Sequence, residues 1–207
     1  MNIFFLDRTP TTCAQYHNDK HVVKMVIEYA QLLSTAHRVL DGQQYWDKTK
    51  NGRRIKRYKM FNKYLDTELY LAAHVRHPSA IWTRQSVHHY NWLFDLWFAL
   101  SKEYEYRYNR EHLTFTKLNK ILMKAPKGMP RDEWSDPPPA MPDDCKIDGD
   151  SLASYHKYYR EHKSGFNNFK GRDEPYFLNT TTRTQELPVS ASLSTSCLLY
   201  TSDAADE

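Results

Sequence analysis

Residues 12–37, TCAQYHNDKHVVKMVIEYAQLLSTAH, decide the fold. Their spacing predicts one helix of about seven turns, with Thr11 or Thr12 as N-cap after Pro10. At 100° per residue, Val22, Met25, Val26, Tyr29, Leu33 and Ala36 form a broad apolar face, and Val23, Ile27, Ala30 and Leu32 widen it on both flanks. What stays polar is a narrow seam in which Cys13, His17, His21, Lys24, Glu28, Gln31 and Thr35 recur at helical spacing. A helix that is apolar around most of its circumference is buried, so titratable groups on its seam face a cleft, a polar network or a partner.

Outward from this helix, residues 2–6 are apolar and β-prone and read as a first strand or an extended N-terminal arm. Gly42 lies where the helix should close. Residues 60–76 read as a further helix, stopped by Pro78. Ser79 is then expected to cap a second long helix running to about Tyr108, whose apolar residues, including Trp82, Trp92 and Trp97, exceed what one face can hold. On it Arg84, His88 and Asn91 form a polar line placed to meet the first seam. A short basic helix over residues 114–124 and one over residues 151–166 complete the set. The fold class expected is mainly α, a compact helical domain with two long central helices and a short extended N-terminal arm.

The 207 residues suffice for one domain with a real core, expected over residues 1–178. Residues 125–150 hold six of the ten prolines and seven acidic side chains, and read as an ordered wrap or a linker. Residues 179–196 are polar and aperiodic and read as a disordered or non-native tail. The last eleven residues, CLLYTSDAADE, resemble a translated sequencing adapter. Without them the thiols are Cys13 and Cys145, which fits a reducing compartment, and loss of Asp203, Asp206 and Glu207 moves the formal charge from +4 to +7. No run approaches the length of a membrane span and no signal peptide is visible, so a host-cell cytosolic location is expected.

The charge is concentrated. Between Lys48 and Lys63 there is no acid, while Arg53, Arg54, Lys56, Arg57 and Lys59 are interleaved with Tyr58 and Phe61. Such a run is either a solvated basic loop or a phosphate-binding surface with aromatics for stacking. Tyr155, Tyr158 and Tyr159 alternate with Lys157, Arg160 and Lys163 on the last helix, a second candidate surface for nucleic acid. No glycine-rich phosphate loop, paired CxxC or internal repeat occurs, which removes most support for nucleotide-hydrolysing, Rossmann and zinc-ribbon folds.

Three readings compete for the seam. His17, His21 and Glu28 have spacing suited to a metal, although Lys20 and Lys24 stand in the same patch and no cofactor is expected. Alternatively, Lys24, walled by Ile27 and Leu32, supplies an amine that attacks C1′ of a deoxyribose. His17 or His21 would then serve as acid and base, and Glu28 or Asp19 would stabilise the sugar cation. In the third, Lys24 and Glu28 only pair and the histidines bond to the second helix.

The blocks MNIFFLD, CAQYHNDKHVVKMVIEYAQLLSTAHRVLDG, HPSAIWTRQSVHHYNWL, PPPAMPDDCK and YHKYYREHK resemble a family of small phage and viral proteins without an assigned activity, over nearly all of residues 1–177. More distantly, AQYHNDKH and YHKYY resemble the phage-type pyrimidine-dimer DNA glycosylases, the endonuclease V family. That resemblance implies a small basic helical domain, DNA as partner and base removal through an amine. The chain departs from it at Asn2, where the family has a threonine exposed by loss of the initiator methionine, and at Lys24, near where the catalytic glutamate would align.

The expected protein binds DNA through Arg53, Arg54, Lys56, Arg57, Lys59, Arg84, Tyr155, Lys157, Tyr158, Tyr159 and Arg160. Its expected activity is glycosylase or lyase work on a damaged or modified base, with Lys24, Glu28, His17 and His21 as catalytic groups. The rivals are a non-catalytic accessory protein that binds DNA or a host protein, and a metal-dependent enzyme built on His17, His21 and Glu28.

Overall fold

A computed structural model describes residues 1–179. The expected adapter-derived end and all but the first residue of the expected tail lie outside them. Asn18 breaks the first expected helix in two. Its backbone is extended and its side chain accepts a hydrogen bond from the His21 N–H at 2.9 Å, so α1 (Pro10–Gln15) ends and α2 (Asp19–Asp41) begins with a fresh cap. A cap of this kind is worth about 1 kcal/mol, enough to choose between one helix and two where packing permits both.

The second expected helix divides in the same way. His77, rather than Ser79, caps α4 (Pro78–Gln85) by accepting from the Ser79 N–H, and Ser86 is extended and caps α5 (Val87–Tyr108) through its hydroxyl. Helix α5 ends at Asn109, whose left-handed backbone closes it. The helix expected over residues 60–76 shrinks to α3 (Lys63–Glu68), capped by Asn62, after which residues 70–74 form no regular element.

Helices α2 and α5 form the centre of the molecule, and α6 (Leu113–Leu122) closes over both. The buried Trp97 indole donates to the Val26 carbonyl at 2.8 Å, joining the two long helices where their apolar faces meet. Among the described residues the N-terminal arm pairs with no strand. Ile3, Phe4, Phe5 and Leu6 are all buried, and each such side chain removed from water contributes about 1.5–3 kcal/mol. Helix α7 (Ser151–His162), capped by Asp150, lies across the arm, with His156 Nε2–H donating to the Leu6 carbonyl.

Residues 125–150 are held by side chains from both flanking regions. Ser86 and Trp82 donate to the carbonyls of Asp132 and Ser135, and Ser151 and Tyr155 to those of Pro137 and Pro138. A proline-rich strap lacks the N–H groups for a ladder of its own, and side chains from both flanking regions satisfy its carbonyls instead. Among the described residues no helix is long and apolar enough to cross a membrane.

Candidate nucleic-acid interface

The basic run folds as an antiparallel hairpin, β1 (Gln43–Lys48) with β2 (Arg54–Lys59), in the register Gln43↔Lys59 to Lys48↔Arg54. It leaves α2 at Gly42, where a Cβ would stand 2.4 Å from the Arg38 carbonyl, so only glycine fits the exit. At the tip Thr49 N–H donates to the Arg53 carbonyl, and Gly52 takes a positive φ of 75°.

Strand alternation sorts the side chains. Trp46, Arg54, Lys56 and Tyr58 share one face and line a cleft of about 910 Å³ whose other wall is residues 72–77. Arg53 at the tip and His74, Arg76 and His77 across the gap add to the lining, which contains no carboxylate. Trp46 sits under two cations, with Arg54 3.9 Å and Lys56 5.3 Å from its ring centre. His74 has φ 49°, a left-handed conformation uncommon for a residue with a Cβ, and its carbonyl accepts from the His77 N–H at 2.8 Å to hold the wall. Burial pushes the His77 imidazole below its ordinary pKa, the Met1 ammonium and His74 push the same way, and Glu28 opposes them.

Of the expected DNA contacts, Arg53, Arg54 and Lys56 are thus brought together. Arg57 and Lys59 lie on the other hairpin face, Arg57 at 3.9 Å from Asp47. The Arg84 guanidinium is half-buried, donates to the Ala80 carbonyl of its own helix and does not line the cleft. His88 and Asn91 are exposed on α5, away from the seam they were expected to meet.

The expected aromatic surface on α7 does not form. Tyr155 and Tyr159, four residues apart, occupy the inward face and are fully buried, with their hydroxyls on Pro138 and His21. Lys157 Nζ donates to the Asp144 carbonyl and Arg160 to that of Phe177, while Tyr158 is half-buried with Lys163 Nζ 4.6 Å above its ring.

The seam also divides: the break at Asn18 takes Cys13 and His17 out of phase with α2, and within α2 the stripe passes from buried His21 to exposed Lys24. His17 and His21 are buried, whereas Lys24 is 68% exposed and pairs with Glu28 at 3.1 Å. Ile27 is exposed and Leu32 faces the core, so no apolar wall surrounds the Lys24 amine. His17 is committed on both nitrogens: Nδ1–H donates to the Cys13 carbonyl at 2.7 Å, and Nε2 therefore accepts from the Tyr29 hydroxyl at 2.8 Å. Tyr29 in turn accepts from the Phe4 N–H, and the Cys13 thiol donates to the Phe4 carbonyl, so the circuit fastens the N-terminal arm to α1 and α2. His21 stacks on Phe4 with ring centres 4.1 Å apart and bonds Tyr159 at 2.6 Å. His17 therefore has no nitrogen left for a metal or a proton, whereas His21 is engaged through Nδ1 alone.

Desolvation holds these imidazoles neutral, His17 and His37 down at about 4 and His21 at about 2, against an ordinary 6.5. The folded pKa lies below the unfolded one, so the stability this linkage supplies is complete above pH 6.5. It is lost as the pH falls from 6.5 towards 4, and further for His21. The expected result is a urea midpoint clearly lower at about pH 5 than at about pH 7, by up to a few kcal/mol in unfolding free energy. A midpoint that does not move over that interval would show that the three histidines are solvated.

Sequence reasoning missed the hairpin, Trp46 and the wall at residues 72–77. The hairpin had a local signal, Asn51-Gly52 between two runs of alternating bulky residues. The wall had none, because its residues acquire meaning only by facing the hairpin. Just before that wall, Gln31 of α2 donates to the Leu71 carbonyl, and Glu28, one turn earlier on α2, acts electrostatically on His77 of the wall.

Comparison with known proteins gives no matching family model, no matching curated protein and no matching solved structure.

Proposed function

We propose that this chain is a DNA-binding protein that grips the phosphodiester backbone in the cleft between the hairpin and residues 72–77. The observation that carries the reading is the convergence of Arg53, Arg54, Lys56 and Arg76, all exposed, on one cleft without a carboxylate in its lining. Guanidinium groups match phosphate oxygens in pairs, and each contact releases a condensed counterion. Trp46 offers a ring on which a base can replace the stacked Arg54, and Phe61, 82% exposed just beyond β2, extends the aromatic edge. The test is binding of labelled single- and double-stranded oligonucleotides across a range of salt. Four phosphate contacts give a slope of log K on log salt of about −3.6 on duplex DNA. Affinity that does not respond to salt would rule the reading out.

A second reading adds base removal, and the exposed Lys24–Glu28 pair favours it, Glu28 being the carboxylate that acts on His77 of the cleft wall. An exposed lysine amine can attack C1′, the base leaves with a proton, and a Schiff base to the opened sugar results. Glu28 stabilises cationic charge in that sequence, and His77, on the cleft wall and under the influence of Glu28, replaces His17 and His21 as the proton-handling group. The distant resemblance to pyrimidine-dimer glycosylases points the same way. Borohydride trapping on abasic or ultraviolet-damaged DNA is expected to give a covalent adduct that disappears in Lys24→Ala. An adduct retained in that variant would transfer the chemistry to another amine, with the Met1 α-amino group beside His77 the first to examine. No adduct at all leaves the DNA-binding protein without the lyase step.

A further inference from the structure

The strap and α7 meet at four side chains that DNA binding does not use. Asp144 and Cys145 belong to the 3₁₀ turn Asp143–Cys145 inside the strap, and Glu161 and His162 are the last two residues of α7. One ligand atom from each lies within 4.8 Å of the other three, the only such group of three or more among the described residues. His162 Nε2 stands 2.9 Å from Asp144 Oδ2, and Cys145 Sγ stands 3.7 Å from Glu161 Oε2.

These separations fit a tetrahedral ion. Zinc-type bonds of about 2.3 Å to sulfur and about 2.0–2.1 Å to nitrogen or oxygen place neighbouring ligand atoms roughly 3.3–3.6 Å apart. The His162–Asp144 contact has to open and the Cys145–Glu161 contact to close by a few tenths of an ångström, and any pair at the 4.8 Å limit closes by more than about 1 Å, a movement that falls to the exposed side chains of Asp144, Glu161 and His162 around the buried sulfur. The donor set is chemically mixed, with one thiol, one imidazole and two carboxylates. Calcium and magnesium prefer oxygen alone, whereas sulfur with nitrogen selects zinc and its neighbours. Cys145 is buried while the other three are exposed, so an ion has a path in from solvent and a sulfur at the bottom. With a thiolate and two carboxylates around a divalent ion, one negative charge remains. The Lys157 ammonium on the Asp144 carbonyl stands where it offsets that charge.

We infer that Asp144, Cys145, Glu161 and His162 bind a divalent transition ion of the zinc class, which clasps the proline-rich strap to the end of α7. Four protein ligands fill a tetrahedral ion and leave no open position, so the site is structural rather than catalytic. Cys145 gives up its thiol proton on coordination. The strap is held elsewhere by the Trp82, Ser86 and Tyr155 side chains, by the Arg8–Asp136 pair and by Asp41 on the N–H groups of Lys127 and Gly128, and the clasp adds a fastening at the end of α7.

The test uses the full chain carrying Cys197→Ser, stripped with a chelator and titrated with Co²⁺ alone. The expected result is one ion per chain, with tetrahedral ligand-field bands and a thiolate-to-cobalt charge-transfer band, all bleached by Zn²⁺. Cys145→Ser should abolish the charge-transfer band, and His162→Ala should weaken binding at least about tenfold. His162 is exposed, so its loss leaves the helical circular dichroism intact and separates ligation from folding. Zn²⁺ should raise the unfolding temperature of the parent and not of His162→Ala. The proposal is overturned if the folded chain takes up no stoichiometric cobalt, or if the charge-transfer band survives in Cys145→Ser. It is also overturned if the affinity is unchanged in His162→Ala.

Discussion

Arg38→Ala is expected to lower the unfolding free energy by about 3–5 kcal/mol, the largest single-residue effect on stability in the chain. The side chain is 1% exposed and spends all of its donors. Nε donates to the Tyr70 carbonyl, Nη1 to the Tyr58 carbonyl and to Asp66 Oδ1, and Nη2 to the carbonyls of Asp66 and Leu69. The carbonyls of Tyr70 and Leu69 belong to irregular backbone, that of Tyr58 to the end of β2 and that of Asp66 to the short helix α3. Truncation strands four carbonyls and leaves Asp66 with the Met60 N–H, the bond that most lowers its pKa.

The same fan of bonds explains why the residue matters to the cleft. Tyr58 is on one wall and Tyr70 leads into the other, so Arg38 ties both walls to α2. Arg38→Lys keeps the charge but offers three donors from a point, and should recover only a minor part of the loss. Urea unfolding of the three proteins measures this. A loss under about 1 kcal/mol for Arg38→Ala would mean that water replaces the guanidinium at little cost, and that the site is more open than its burial implies.

The mainly helical architecture was legible because one-sided apolar faces leave a 3.6-residue period in α2, α6 and α7, while α5 declared itself by a long apolar run too broad for one face. The breaks at Asn18 and Ser86 were not, since the apolar spacing runs on across both and periodicity alone joins what the caps separate. Asn18-Asp19 does carry a start signal of its own. In α7 the alternation of tyrosine with lysine and arginine suggested a surface, whereas the spacing of Tyr155 and Tyr159 already placed them on one face, and that face is the inner one. The buried histidines were the least legible part. Nothing local distinguishes an imidazole that will be enclosed by Phe4, Tyr29 and Tyr159 from one that will face solvent, because those partners come from up to 138 residues away. The cationic side of the cleft was visible as a run in the sequence. Its opposite wall is a product of the fold.

That division between what is local and what is assembled sets up the sharpest test of the DNA-binding reading. Arg53→Ala with Arg54→Ala and Lys56→Ala removes three of four cleft cations, all exposed, with little expected effect on stability. If each neutralises one phosphate, the salt slope on duplex DNA falls from about −3.6 to about −0.9. At 0.1 M salt the affinity then drops roughly 10²–10³-fold, the counterion contribution of three contacts extrapolated from 1 M. Arg57→Ala with Lys59→Ala removes nearly as much charge from the same hairpin, but from its other face. A protein that attracts DNA by net charge alone would lose comparable affinity in both variants. A cleft that seats the backbone would lose it in the first and keep most of it in the second, because a contact phosphate must be within hydrogen-bond reach of the guanidinium and not merely within its field. Trp46→Ala separates the remaining term. With the cations in place and the ring gone, affinity for single strands should fall by about 1–3 kcal/mol per base stacked, while duplex affinity, which offers no unstacked base, changes far less.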